Sequence, residues 1–188
     1  MDTALGVGLE QVLARHAAGK QALWSGRPPQ GLVLRASDAL LIPFSLLWGG
    51  FALFWEWGVT HTSRTPPPIF PIFGGAFVVV GVYMMVGRFF FEAWKRGRTL
   101  YVLTEDRAIV AVGGGARVVP LAGAGVELQA GRGDAGTIWF GTPPSMLMAN
   151  SSWPGSGVKA PPSFELASEA RAVFEQVLSA QRRARTAA

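Results

Sequence analysis

The sequence predicts a two-helix transmembrane hairpin joined to an α+β region, in which a small antiparallel β-barrel or sandwich is capped by a C-terminal helix. Three observations predict it. Two uncharged apolar blocks lie between Asp38 and Phe91; lysines and arginines crowd both flanks of that pair; and after Arg98 the chain breaks into short β-branched and aromatic runs, followed by one amphipathic stretch. Hydrophobic residues make up 49% of the chain and charged residues 15%, well below the roughly 25% charge of an ordinary soluble domain. The excess is local rather than spread, which is how a membrane segment enters a sequence.

The first element, residues 5–18, sets Leu9, Val12, Leu13 and Ala17 at helical spacing, predicting a short amphipathic helix that lies on the membrane or packs on the C-terminal region. Asp2, Glu10, Arg15 and Lys20 interrupt this stretch, so it does not read as a secretory signal. Gly26, Pro28, Pro29 and Gly31 then punctuate a short strand pair or an extended linker. Residues 1–37 are thus expected to be a cytoplasmic N-terminal segment.

The hairpin is expected over residues 38–92. Its first block, residues 39–55, is uncharged for 17 residues, the short end of what spans a ~30 Å hydrocarbon core. Pro43 falls in the first turns, where it is best tolerated, and Trp55 and Trp57 supply an interfacial anchor. The second block, residues 69–87, is uncharged for 19 residues before Arg88 and the aromatic rim Phe89, Phe90 and Phe91. A short Pro-rich connection makes the two blocks antiparallel neighbours, and Gly49, Gly50, Gly74, Gly75 and Gly81 allow close backbone approach. Arg15, Lys20, Arg27 and Arg35 precede the pair, Arg88, Lys95, Arg96 and Arg98 follow it, and the connection offers only Arg64. The positive-inside bias then places both termini in the cytoplasm, making a multi-pass protein of the cytoplasmic membrane.

Residues 93–188 read as a cytoplasmic domain. RTLYVLT, AIVAV and ARVVPL are strands separated by EDR and GGG turns, and GVELQA and TIWFG form a second hairpin around GRGDAG. A helix follows, capped by Ser168, with Ala170, Val173, Phe174, Val177, Leu178 and Gln181 on one face. The segments LWSGRPPQGL, FEAWKRGRTLYVLTEDRAIV and PPSFELASEARAVFEQVL together resemble the bacterial PH-like domain membrane proteins. The resemblance runs from about Leu23 to Gln181. It implies a pleckstrin-homology-like β-barrel with a C-terminal helix, tethered under the membrane, and no catalytic residue. Phosphoinositide-binding PH domains carry a basic cluster on their first strands and loop, whereas this loop is Glu105, Asp106 and Arg107.

The remaining motifs carry no chemistry. Gly131, Gly133 and Gly136 spell GxGxxG, but a strand follows where a dinucleotide site needs a helix. The embedded Arg132-Gly133-Asp134 is a turn. His16 and His61 are expected on opposite sides of the membrane, there is no cysteine, and the carboxylates of Glu105 and Asp106 adjoin only in a turn, so no catalytic, metal or cofactor set can be assembled. Glu56, between Trp55 and Trp57, reads as a hydrated anchor at the interface rather than a proton relay. The net charge of +5 sits beside apolar blocks rather than in a nucleic-acid-binding stripe.

Arg88, Lys95, Arg96 and Arg98 are therefore the candidate contacts to anionic lipid headgroups. The expected function is non-enzymatic binding or scaffolding, with the bilayer, anionic lipid, another membrane or cytoplasmic protein, or a second copy as partners. The rival is a small subunit of a transporter or channel, against which the apolar blocks hold little polarity beyond Ser45 and Tyr83.

Overall fold

The computed structural model describes residues 3–17, 19–33, 38–61, 67–144 and 161–187. Arg35 and Arg64, used above for the charge bias, lie outside them. In chain order the elements are α1 (Thr3–His16), β1 (Trp24–Gly26), α2 (Asp38–Thr60), α3 (Ile69–Val82), a π-helical turn (Tyr83–Gly87), α4 (Arg88–Gly97), β2 (Thr99–Leu103), β3 (Arg107–Val112), β4 (Gly115–Pro120), β5 (Val126–Ala130), β6 (Gly136–Phe140), β7 (Ser163–Leu166) and α5 (Ala170–Thr186). They fall into two compact units, one of residues 1–31 with 93–188 and one of residues 32–92.

The first unit is α+β. Strands β1 to β4 form an antiparallel sheet in sequence order, and β5 to β7 form a second. β2 is buried along its whole length because the two faces of its sheet are both covered. By the period-two alternation of a strand, Tyr101 and Leu103 face one core with Ala108, Leu121, Ile138, Phe140 and Phe164. Leu100 and Val102 face another with Ile109, Ala111 and Ala17, onto which Leu9, Val12 and Leu13 of α1 pack. Between β3 and β4, Val112 pairs with Gly115 across only Gly113 and Gly114, whose φ of 56° and 97° suit the right-twisted two-residue hairpin that excludes most side chains.

The second sheet was only partly foreseen. β7 follows two prolines and spans four residues, too short to register as an alternating pattern, yet it places Phe164 fully inside the core. α5 lays Ala170, Val173, Val177 and Ala180 on that core, with Phe174 half-buried. Its start also differs from expectation. Ser168 does not cap it; the helix begins after Glu169, which has φ 59° and no side-chain cap, and the Ala170 N–H donates instead to the carbonyl of Asp134 in the β5–β6 turn at 2.9 Å. A tertiary contact thus satisfies one of the orphan donors of the first turn. That same turn contains the glycine motif, so Gly131 to Gly136 form a hairpin leading into β6.

The second unit is an antiparallel helix pair. Trp48 stacks on Phe77 with ring centroids 5.2 Å apart, and a Cβ placed on Gly81 would come within 3.0 Å of the Gly49 Cα, so the backbones touch where both helices carry glycine. At the other end of the pair Arg88 and Asp38, both buried, lie 2.9 Å apart as an ion pair.

The expectation of two transmembrane helices is overturned. Among the described residues a single helix, Ile69–Gly97, is long and apolar enough to cross a membrane, with 29 residues and a mean hydropathy of 2.2 over its best window. The reason lies in α2. Asp38 and Glu56 both fall within that helix, and the 17 uncharged residues between them rise only about 25 Å at 1.5 Å each, short of the ~30 Å core. The fold is α+β with two antiparallel sheets and one candidate apolar span, and a multi-pass arrangement is not supported.

Candidate functional site

Within the α+β unit, an open cavity of about 270 Å³ lies between α1, the segments flanking β1 and β2, and the β3–β4 turn. Its basic lining comes from three places in the sequence: Arg15 and His16 from α1, Arg27 just after β1, and Arg98 just before β2. Each is positioned by an apolar neighbour or a backbone bond. Docking of Leu9, Val12 and Leu13 on the sheet turns Arg15 toward the cavity. Antiparallel pairing of Gly26 with Tyr101 brings the residues after β1 beside those before β2, and the Gly113 N–H donates to the Arg98 carbonyl at 3.2 Å, fixing the glycine turn across the opening.

The electrostatics are one-sided. Among the described residues no carboxylate lines the cavity, and Arg15 and Arg27 form no ion pair. Arg98 lies 4.4 Å over the ring of Trp94, a contact that orients a guanidinium without neutralising it. The acidic partner of this region is used elsewhere. Asp106 receives hydrogen bonds from Arg107 at 2.8 and 3.1 Å and lies 3.5 Å from Lys20. The Arg107 guanidinium, helped by the Thr104 hydroxyl, lowers the Asp106 carboxyl to about 2. Arg107 also donates to the carbonyl of His16 at 3.2 Å, capping the C-terminal end of α1 beside the cavity.

The four predicted headgroup contacts do not share one environment. Arg88 is buried against Asp38 and over the Phe89 ring. Arg96 is also buried, its Nη2 donating to the Gly31 carbonyl at 3.0 Å while its own carbonyl accepts from Gln30. Lys95 and Arg98 are exposed, and of the four Arg98 lines the cavity. Arg15 and Arg27 entered the sequence reading only as flanking charge. Nothing in the linear pattern links them to Arg98, since packing of α1 on the sheet brings in Arg15 and the β1–β2 ladder brings in Arg27. No family model, curated protein or solved structure matches this chain.

Proposed function

We propose that this chain is a non-enzymatic interaction module of PH-like type, held at the inner face of the cytoplasmic membrane by its one long apolar helix and binding lipid or protein through its α+β unit. The observation that carries this reading is the helix Ile69–Gly97, in which Ile69, Phe70, Ile72, Phe73, Val79 and Phe90 are exposed; a contiguous apolar surface of this kind needs an apolar partner. The PH-like assignment is supported by seven strands in sheets of four and three with a helix laid on their shared core. The inner face is supported by Lys95 and Arg98 beside the end of the apolar helix.

The β1–β2 ladder limits how the anchor enters. Because Trp24 pairs with Leu103, the residues before the helix pair and those after it lie on one side of any bilayer. A lone crossing by Ile69–Gly97 would separate them, so this helix is proposed to bury its exposed apolar side chains in the inner face without crossing. Alkaline carbonate extraction of native membranes tests the reading: the full chain should stay in the pellet, and replacing residues 38–92 by a short Gly/Ser linker should release it. Complete extraction of the unaltered chain would overturn it.

A further inference from the structure

We propose that the cavity lined by Arg15, Arg27 and Arg98 is a binding site for a phosphate monoester dianion, carried by a lipid headgroup or free in solution. Three arginines line one opening, and among the described residues no carboxylate lines it. Like charges gathered at an unneutralised concavity repel one another, and a cleft of one sign concentrates counter-ions. Arginine presents a planar fork of donors that matches phosphate oxygens in pairs. The volume of about 270 Å³ lies at the lower bound of small-ligand pockets, roughly 300 Å³, which suits a headgroup or a small phosphate and not a large ligand. The glycines of the β3–β4 turn leave the rim bare, since a Cβ on Gly113 or Gly114 would meet nothing within 4 Å.

The anion site stands on the cavity alone, whereas a lipid as its source rests on the membrane reading proposed above. Arg98 follows directly on Gly97, the last residue of the long apolar helix, which favours a headgroup at the bilayer surface.

The test is calorimetric titration of the full chain in a non-ionic detergent with dioctanoyl phosphatidic acid, dioctanoyl phosphatidylcholine and inorganic phosphate. Phosphatidic acid should bind and phosphatidylcholine should not. Arg15→Gln, Arg27→Gln and Arg98→Gln should each weaken binding by about tenfold, as loss of a charge-assisted bond does. Arg171→Gln, on the exposed face of α5, should leave it unchanged. Gln11→Glu adds a charge to the lining without removing a contact and should also weaken binding, which keeps the test decisive if an arginine variant folds poorly. Inorganic phosphate binding that is equally sensitive to these variants would support the site and assign it to a free phosphate. Failure of both phosphate ligands to bind, or binding indifferent to all four lining variants, overturns the proposal. Carbonate extraction reports on the anchor separately, so either idea can fail alone.

Discussion

Tyr101 and Phe164 stack with ring centroids 4.8 Å apart, one from each sheet, and the Tyr101 hydroxyl accepts a hydrogen bond from the Glu165 N–H at 3.3 Å. Phe164 also meets Trp24 at 5.7 Å and Phe140 edge-on at 4.9 Å, so β1, β2, β6 and β7 converge on one ring. Phe164→Ala should therefore cost about 3–5 kcal/mol, the usual loss for a fully enclosed phenylalanine. Phe174→Ala, half-exposed on α5, should cost roughly half as much. Thermal melts of the two variants check the ranking, and the reverse order would mean that α5 rather than β7 closes the core.

Gln181 supplies the second prediction. Its Nε2 donates to the carbonyls of Leu121 and Ala124 at 2.9 and 2.7 Å from a buried position, fastening the β4–β5 connection to α5. Gln181→Leu keeps the volume but removes a donor from both carbonyls, leaving that of Leu121 only its bond from the Ala124 N–H at 3.2 Å, at about 1–3 kcal/mol. Faster amide exchange across residues 121–125 should accompany the lower melting temperature.

These two residues also show where the sequence could be read and where it could not. The positions of β2 to β6 followed from alternation and from turn residues such as Gly113 and Gly114, because those signals are local. The buried stripe Val173 and Val177 followed from helical period. β7 escaped because four residues after prolines carry too little pattern, although its Phe164 is central. The cavity escaped for another reason: Arg27 and Arg98 are brought together by strand pairing across a long insertion, which no window on the sequence spans. The two-span reading failed on length, since it counted α2 as a span although Asp38 and Glu56 bound its apolar run.

Acid should act on the β2–β3 turn. The Asp106 carboxyl is held at about 2 against an ordinary 3.8, so its ionised form favours the folded state. That stabilisation is complete above about pH 4 and is lost as the pH falls toward 2, when Asp106 takes up a proton and releases Arg107 and Lys20. Melting temperatures between pH 5 and pH 2 should fall less steeply in Asp106→Asn than in the parent. An unchanged slope would show that other carboxyl groups govern the acid response.

The Asp38 and Arg88 pair should be costly to break from one side. Arg88→Ala takes the paired guanidinium from a buried carboxylate, a loss of about 3–5 kcal/mol, while Asp38→Leu with Arg88→Leu should recover most of it. Lys95→Ala, exposed on the same helix, should melt like the parent. The three melts in detergent distinguish a structural arginine from a surface one.

The attachment proposed above makes a topological prediction. The chain has no cysteine, so His61→Cys at the end of α2 gives a single label site. Reporters fused before Met1 and after Ala188 should lie on the same side, and a membrane-impermeant maleimide applied from the other side should leave Cys unlabelled at 61. Labelling there would mean that the end of α2 emerges through the bilayer.

The ion pair at the base of the helix pair has a consequence for the order in which the chain takes shape. β1 ends at Gly26 and β2 begins at Thr99, so β1 must wait through the synthesis of residues 27–98 before a partner exists. Once α2 and α3 have zipped and Asp38 meets Arg88, the irregular chain to be closed shrinks to residues 27–37, since α4 carries the other side up to Gly97. By the logarithmic dependence of loop closure on length, that shortening is worth about 1 kcal/mol toward sheet formation. Zipping of the apolar pair should therefore act as a clasp during biogenesis, and whatever delays it should delay the addition of β1 to the edge of the first sheet.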